Sequence, residues 1–169
     1  MTELPDGLQL RAAVDGDWWA VVALVSACWA EYPGCVMDAH GECPDLLAPA
    51  TVYGGAGGDF WVVVDRCQTV VAVAGWKPLD SGAVEMERLY VDPRWRRHGV
   101  ASALAGMVES VASERDAPAV ELWSDTRFKA AHSFYERRGY VNAGPDRRLG
   151  DLSRTVEHHF VLSRDAGDS

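Results

Sequence analysis

Between Arg94 and His98 the chain sets three arginines and a histidine in five positions, and Gly99 follows them. An apolar helical repeat begins at once. Val100, Ala103, Leu104, Met107, Val108 and Val111 recur at the spacing of one helix face. A helix start presents unpaired N–H groups and a partial positive charge. Gly99 lets the backbone approach a ligand closely, and Ala101 adds little bulk. This combination suits a pyrophosphate. Its plainer alternative is an ordinary helix start with solvated arginines. Just upstream, Glu85 and Glu87 stand two apart in the run Val84 to Val91. On a strand they share a face, where one carboxylate raises the other's pKa toward neutrality. The plainer alternative here is a solvated strand face, or ion pairs with Arg88 or Arg97.

These groups need a scaffold, and the flanking patterns outline one. Leu8 to Ala13 reads as a first strand. Asp15 and Asp17 offer N-cap oxygens to a helix over Trp18–Trp29, which Pro33-Gly34 ends. Cys35 to Pro49 is irregular, and a short helix near Asp45 to Tyr53 is interrupted by Pro49. Phe60 to Asp65 and Thr69 to Trp76 form a hairpin, and Val84 to Val91 is a third strand closed by Asp92-Pro93. After the repeat beginning at Val100, Ala119 to Trp123 reads as a buried strand. Arg127 to Arg138 is helical and ends at Gly139. Tyr140 to Ala143 and Thr155 to Leu162 are the last strands, and Asp165 to Ser169 is a frayed tail.

Composition narrows the class. The 169 residues suit one domain over 1–169, with an ordered core at about 8–163. With 16 basic and 25 acidic residues the net charge is −9, which argues against nucleic-acid or anionic-membrane partners. No apolar run is long enough to span a membrane, and Met1 to Gln9 lacks the pattern of a secretory signal. The four cysteines contain no C-x-x-C pair, consistent with reduced thiols and a cytoplasmic location. Cys35, His40 and Cys43 lie close in sequence without a usual zinc spacing or a fourth ligand, so no metal is expected. Gly54 to Gly58 lacks the Lys-Ser/Thr and following helix of a phosphate loop.

Arg96-Arg97-His98-Gly99-Val100-Ala101 resembles the Q/R-x-x-G-x-G/A acetyl-CoA signature of the GNAT superfamily of N-acetyltransferases. Leu89-Tyr90-Val91-Asp92-Pro93 before it and the segment Ala131 to Tyr140 after it are similar to that family as well. The order of elements over Leu8 to Leu162 resembles its β-α-α-β-β-β-α-β-α-β-β plan. The resemblance implies an α/β (α+β) fold: a mixed, largely antiparallel sheet, flanked by helices, with one splayed parallel pair. It implies that acetyl-CoA adds its pantetheine arm along Leu89, Tyr90 and Val91. Arg96, Arg97, His98, Gly99, Val100 and Ala101 then hold the pyrophosphate, with a hydroxyl from Ser102.

Acetyl transfer to an amine requires the ammonium to lose a proton, an oxyanion to be stabilised and the departing thiolate to be protonated. The resemblance makes Tyr135 the general acid, with either Phe134 or Tyr135 facing the core and the other the ligand. Either glutamate serves as base, directly or through water, with Glu87 placed ahead of Glu85. The oxyanion donor is expected among the backbone N–H groups near Tyr90 or Val91. Phe128 stands where the family often has an asparagine, so Asp125 or Thr126 is expected to supply that hydrogen bond unless it is absent. No cysteine falls on the motif strand or helix, so direct attack in a ternary complex is expected over an acyl-cysteine.

The acceptor groove is expected between the link Glu31 to Asp45, with Tyr32, Asp38, His40 and Glu42, and the last hairpin. That hairpin offers Arg148 to Arg154 with Glu157, His158 and His159, and His132 is either cofactor-adjacent or surface. The acceptor is a primary amine of a small molecule or peptide. Three rival functions remain: a non-catalytic acyl-CoA-binding sensor, a protein-interaction domain that uses the fold only as a scaffold, and a protein N-terminal or lysine acetyltransferase. A homodimer paired through the last strands is the default assembly.

Overall fold

Strand alternation sorts the apolar side chains onto two faces of one sheet. In the strand Asp59–Val64, Phe60, Val62 and Val64 pack on one side, while Trp61 and Val63 pack on the other. The computed structural model describes residues 3–164, so the expected tail 165–169 lies outside the described residues. The strands are β1 (Gln9–Ala12), β2 (Asp59–Val64), β3 (Val70–Pro78), β4 (Val84–Val91), β5 (Ala119–Asp125), β6 (Val141–Asn142), β7 (Arg147–Arg148) and β8 (Val156–Ser163). The helices are α1 (Trp18–Trp29), α2 (Pro49–Gly55), α3 (Val100–Glu114) and α4 (Lys129–Arg137).

The sheet runs β1-β2-β3-β4-β5-β8-β6, with β7 paired to β8. Every pairing is antiparallel except β4 with β5. This is the mixed sheet with one parallel pair that the sequence predicts. Helices α1 and α2 cover one face, against Phe60, Val62 and Val73. Helix α3 covers the other through Val100, Leu104, Ala105, Val108 and Ala112. Strand β4 divides its side chains accordingly, with Val84 and Met86 in the α3 core and Glu87 bonded to Tyr53 of α2.

Several local expectations are corrected. The carboxylates of Asp15 and Asp17 do not cap α1. Asp17 pairs with Arg11 at 2.7 Å, and Asp15 accepts hydrogen bonds from Thr51, tying the start of α1 to α2. The helix expected near Asp45 to Tyr53 is two pieces, a 3-10 turn over Pro44–Leu47 and α2. Ala48 between them leaves the helical region at φ −146° and ψ 63°, which breaks the helix at the residue before Pro49. The strand expected over Tyr140 to Ala143 shrinks to two residues. Strand β7 carries no sequence pattern, because two exposed arginines are ordered only by pairing with Val156 and Glu157.

Candidate active site

The parallel pair barely pairs. Strands β4 and β5 are in register only at Val84 with Val120 and Glu85 with Glu121. Beyond that, β4 stays with β3 while β5 continues beside β8. A cleft of 740 Å³ opens at the split, walled by Met86, Leu89 and Tyr90 on one side and Leu122, Trp123 and Ser124 on the other. A bulge bends β4 at the same place. Val73 faces Tyr90 and Gly75 faces Glu87, so Arg88 and Leu89 share the space across from Ala74. Arg88 adopts φ +56°, a left-handed conformation rare for a side chain of this size. Its guanidinium makes two bonds of 2.9 Å to Asp45, which anchor it there. Burial opposes the Arg88 charge, but Asp45 together with Tyr90 and Cys43 more than offsets it, and the net pKa is raised.

Inside the cleft Glu85 and Glu87 do share a face, and their partner is neither Arg88 nor Arg97. Lys77 of β3 lies 2.7 Å from Glu87 Oε1 and 3.3 Å from Glu85 Oε2. Tyr53 donates its hydroxyl hydrogen to Glu87 Oε2 at 2.8 Å, and the Tyr53 hydroxyl oxygen also lies 3.1 Å from Asp45 Oδ2. Gly75 makes room for this arrangement, since a Cβ there would sit 2.6 Å from the Tyr53 ring. Burial and the neighbouring Glu87 charge push Glu85 up to about 7. Burial also works on Glu87, but hydrogen bonds from Lys77 and Tyr53 overcome it and hold that carboxyl below its ordinary range.

Tyr135 lines the cleft and is 7% exposed. The expected choice between a core and a ligand position does not apply to it. The cleft is cut into the core, so Tyr135 packs on Tyr140 and Phe160 at 5.7 Å and still reaches the cleft wall. Burial raises its phenol above the ordinary range. Phe134 lies under the Arg138 guanidinium at 5.7 Å. Tyr90 accepts a hydrogen bond from Trp29 Nε1 at 2.8 Å, and burial lifts its pKa to about 12.

The cleft thus gathers Glu85, Glu87, Leu89, Tyr90 and Tyr135, whereas Val91 and Arg96 to Ser102 lie outside its lining. Val91 is buried in the core. The loop after it is less cationic than its composition suggests. Arg94 is paired with Asp92 at 2.8 Å, and Arg96 binds Glu31 at 2.6 Å and the Val91 carbonyl at 3.0 Å. The expected concentration of free positive charge is reduced to Arg97, which is exposed, with the exposed His98 beside it. His98 donates Nδ1–H to the Arg96 carbonyl. Arg97 at φ +61° and Gly99 at φ +83° curl the chain into α3, whose N-terminus has no side-chain cap. Ser102 faces a separate shallow groove with Leu10, Met107 and Arg138.

At the far end, the link before α2 and the loop after β7 are bonded together. Val36 N–H donates to Ser153 Oγ at 2.8 Å, and Leu152 N–H donates to Glu42 at 2.7 Å. Of the expected acceptor residues, Glu42, Asp45, Leu149, Gly150, Asp151, Ser153 and Glu157 line the cleft. Tyr32, Asp38, His40, Arg148, Arg154, His158 and His159 do not. His132 is buried, bonded to the Asp125 carbonyl, and burial lowers its pKa. Asp125 is engaged on both carboxylate oxygens by Arg127, so it offers no free substitute for an asparagine at Phe128.

Sequence reasoning passed over Lys77, Tyr53 and Arg147. Lys77 alone carried a signal, as a lysine at the end of an otherwise apolar strand. Among the described residues the four cysteines are free, and no group of three or more metal-ligating side chains is assembled. No described helix is long and apolar enough to cross a membrane.

Known proteins share this fold. The sequence pattern of the Acetyltransferase (GNAT) family matches residues 18–140. N-acetylaspartate synthetase of Danio rerio is 36% identical over 111 residues, which cover 64% of this chain and 39% of that protein. The chain therefore spans well under half the length of this curated relative. A GNAT-family acetyltransferase from Staphylococcus aureus Mu50 superposes with a TM-score of 0.77 at 18% identity, over 92% of this chain and 98% of that one. The PaiA N-acetyltransferase of Thermoplasma acidophilum, solved in complex with coenzyme A, gives 0.68 at 14% identity over 90% and 97%. With the family pattern running from the first helix to just past α4, over the splayed sheet, this chain belongs to the GNAT family of acetyltransferases.

Proposed function

We propose that this chain moves the acetyl group of acetyl-CoA to a primary amine by direct attack within one ternary complex. The splay of β4 from β5 carries the reading, because it opens beside two carboxylates and a buried phenol. The residues present fit the acetyl donor. Strand β4 lacks a partner on its open side over Leu89 to Val91, and the uncapped α3 start turns through Arg97 and Gly99. A fold relative is solved with coenzyme A. In this reading Leu89, Tyr90 and Val91 hold the pantetheine arm by their main chain. Arg97, His98, Gly99, Val100, Ala101 and Ser102 surround the pyrophosphate, and Arg96 braces the turn through Glu31.

Acetyl-CoA supplies an activated acyl group, so the work of the chain is to move protons and hold charge. The glutamate pair accepts the ammonium proton, which a base near neutral pKa does efficiently. Tyr135 keeps its proton at neutral pH, as a general acid must.

The charge of the cleft supports a cationic acceptor. Seven carboxylates line it against three cations, Lys77, Arg88 and Arg147. Each of those cations is already paired: with the two glutamates, with Asp45, and with Glu157 at 2.6 Å. A second reading, an acidic amino acid as acceptor, is favoured by the name of the relatives. It requires one of these pairs to open. Thiol release from acetyl-CoA, measured against a panel of polyamines, aminoglycosides, peptides and aspartate, separates the readings. Polyamines exceeding aspartate by about 10-fold or more in kcat/KM, a difference of about 1.4 kcal/mol, is the expected result. Aspartate as the best acceptor overturns the cationic assignment. Binding of acetyl-CoA without thiol release by any amine overturns acetyl transfer and leaves an acyl-CoA sensor.

A further inference from the structure

The glutamate pair is unequal, and the inequality comes from outside β4. Both oxygens of Glu87 are held by donors: Lys77 Nζ at 2.7 Å on Oε1 and the Tyr53 hydroxyl at 2.8 Å on Oε2. Glu85 takes the longer Lys77 contact, 3.3 Å on Oε2, and otherwise shares a hydrogen bond with Glu87 itself. Donors fixed on one carboxylate stabilise its ionised form and leave the other as the site for a proton. We propose that Lys77 is a positioning residue for this reaction: it holds Glu87 as a fixed charge and so leaves Glu85 to take the proton from the acceptor ammonium. The proposal rests on the acetyl-transfer reading above. In the step, one N–H bond of the ammonium breaks, an O–H bond forms on Glu85, and the electron pair stays on nitrogen as the nucleophile.

The charged surroundings of Glu85 are few. Lys77 faces it from β3 and Glu87 from its own strand. Tyr53 of α2 reaches the pair through Glu87, with Asp45 behind it held by Arg88. Glu121 is its register partner on β5 and is bonded to His159 of β8 at 2.9 Å. Burial and Glu87 raise the Glu85 carboxyl, and Lys77 lowers it. The net result is a value of about 7, suited to a base at neutral pH.

The test is direct titration of carboxyl-labelled glutamates by 13C NMR on the intact free protein, with the acid limb of kcat/KM alongside. The wild type should show its upper step on Glu85 near 7. Lys77→Gln removes an opposite charge within about 4 Å and should raise that step by about 1 unit or more, whereas Lys77→Arg should restore it. Glu87→Gln removes a like charge and should lower the Glu85 step, which keeps the test open if Lys77→Gln does not fold. The kinetic limb should move with the NMR step. An upper step on Glu87, or a Glu85 step that ignores Lys77→Gln, overturns the proposal. Absence of thiol release with every amine overturns the acetyl-transfer reading instead, and the titration of the pair stands apart from it.

Discussion

The two ends of β4 solve different problems with different materials. At its C-terminal end, from Leu89 through Gly99 into α3, the site is backbone: an open strand edge, two left-handed residues and an uncapped helix start. At its N-terminal end, around Glu85 and Glu87, the site is side chains drawn from α2, β3, β4 and the link before α2. The backbone end suits a ligand of constant shape, because main-chain donors do not depend on which side chains surround them. The side-chain end tunes charge, because each carboxylate there answers to its neighbours. The difference teaches where variation is tolerated. The side-chain network is the less tolerant of the two, because no member of it changes without shifting another.

The sharpest way to break this comparison is Glu85→Gln. Loss of a general base should lower turnover by about 10²–10⁴-fold in the thiol-release assay, with acetyl-CoA affinity nearly unchanged. The same substitution should raise stability at pH 8. Glu85 has a raised pKa in the folded state, so the folded protein binds the extra proton between about 4.5 and 7. Stability therefore falls as pH rises through that window, and an amide at position 85 removes the penalty. Calorimetry at pH 8 should show a Tm higher by roughly 2–4 °C, which corresponds to about 1 kcal/mol at this chain length. Lost activity without that gain would mean that Glu85 is not a strained carboxylate.

Asp45→Ala tests the support under the bulge. It leaves the Arg88 guanidinium unpaired in a left-handed residue, and denaturant unfolding should register a loss of about 2–3 kcal/mol. That is below the figure of about 3–5 for a fully buried pair, since both side chains keep about a fifth of their surface exposed. An effect within about 0.5 kcal/mol, as for an ordinary surface site, would show that the bulge does not need Asp45. The smallest expected effect is at the backbone end. Gly99→Ala places a Cβ on a residue at φ +83°, at a cost of about 1–2 kcal/mol. Calorimetric titration should show acetyl-CoA affinity falling by about 10-fold while the acid limb near 7 stays in place. A displaced limb would couple the two ends and end the division between them.

The same contrast explains what could be read beforehand. The loop from Asp92 to Gly99 and the apolar repeat of α3 are contiguous, and their geometry follows from local rules of capping, glycine and periodicity. Strand β4 was legible for the same reason, over the same residues. The glutamates were legible as a pair on one face, although our assignment places Glu85 ahead of Glu87, the reverse of their sequence order of preference. The charge of the loop was misread in part, because Arg96 looks free in sequence and is spent on Glu31, distant in sequence by 65 positions.

By itself, the sequence determined the family, most of the order of elements and the helix start after the arginine-rich loop, since these depend on neighbours a few residues apart. Tertiary structure alone decided the network around the two glutamates. Tyr53 meets Glu87 across 34 residues and Arg88 meets Asp45 across 43. Lys77 reaches Glu85 because β3 and β4 pair those two positions. Strand register, one bulge and the space left by Gly75 set those meetings. No local preference encodes them, because each is a distance between side chains that the folded sheet creates.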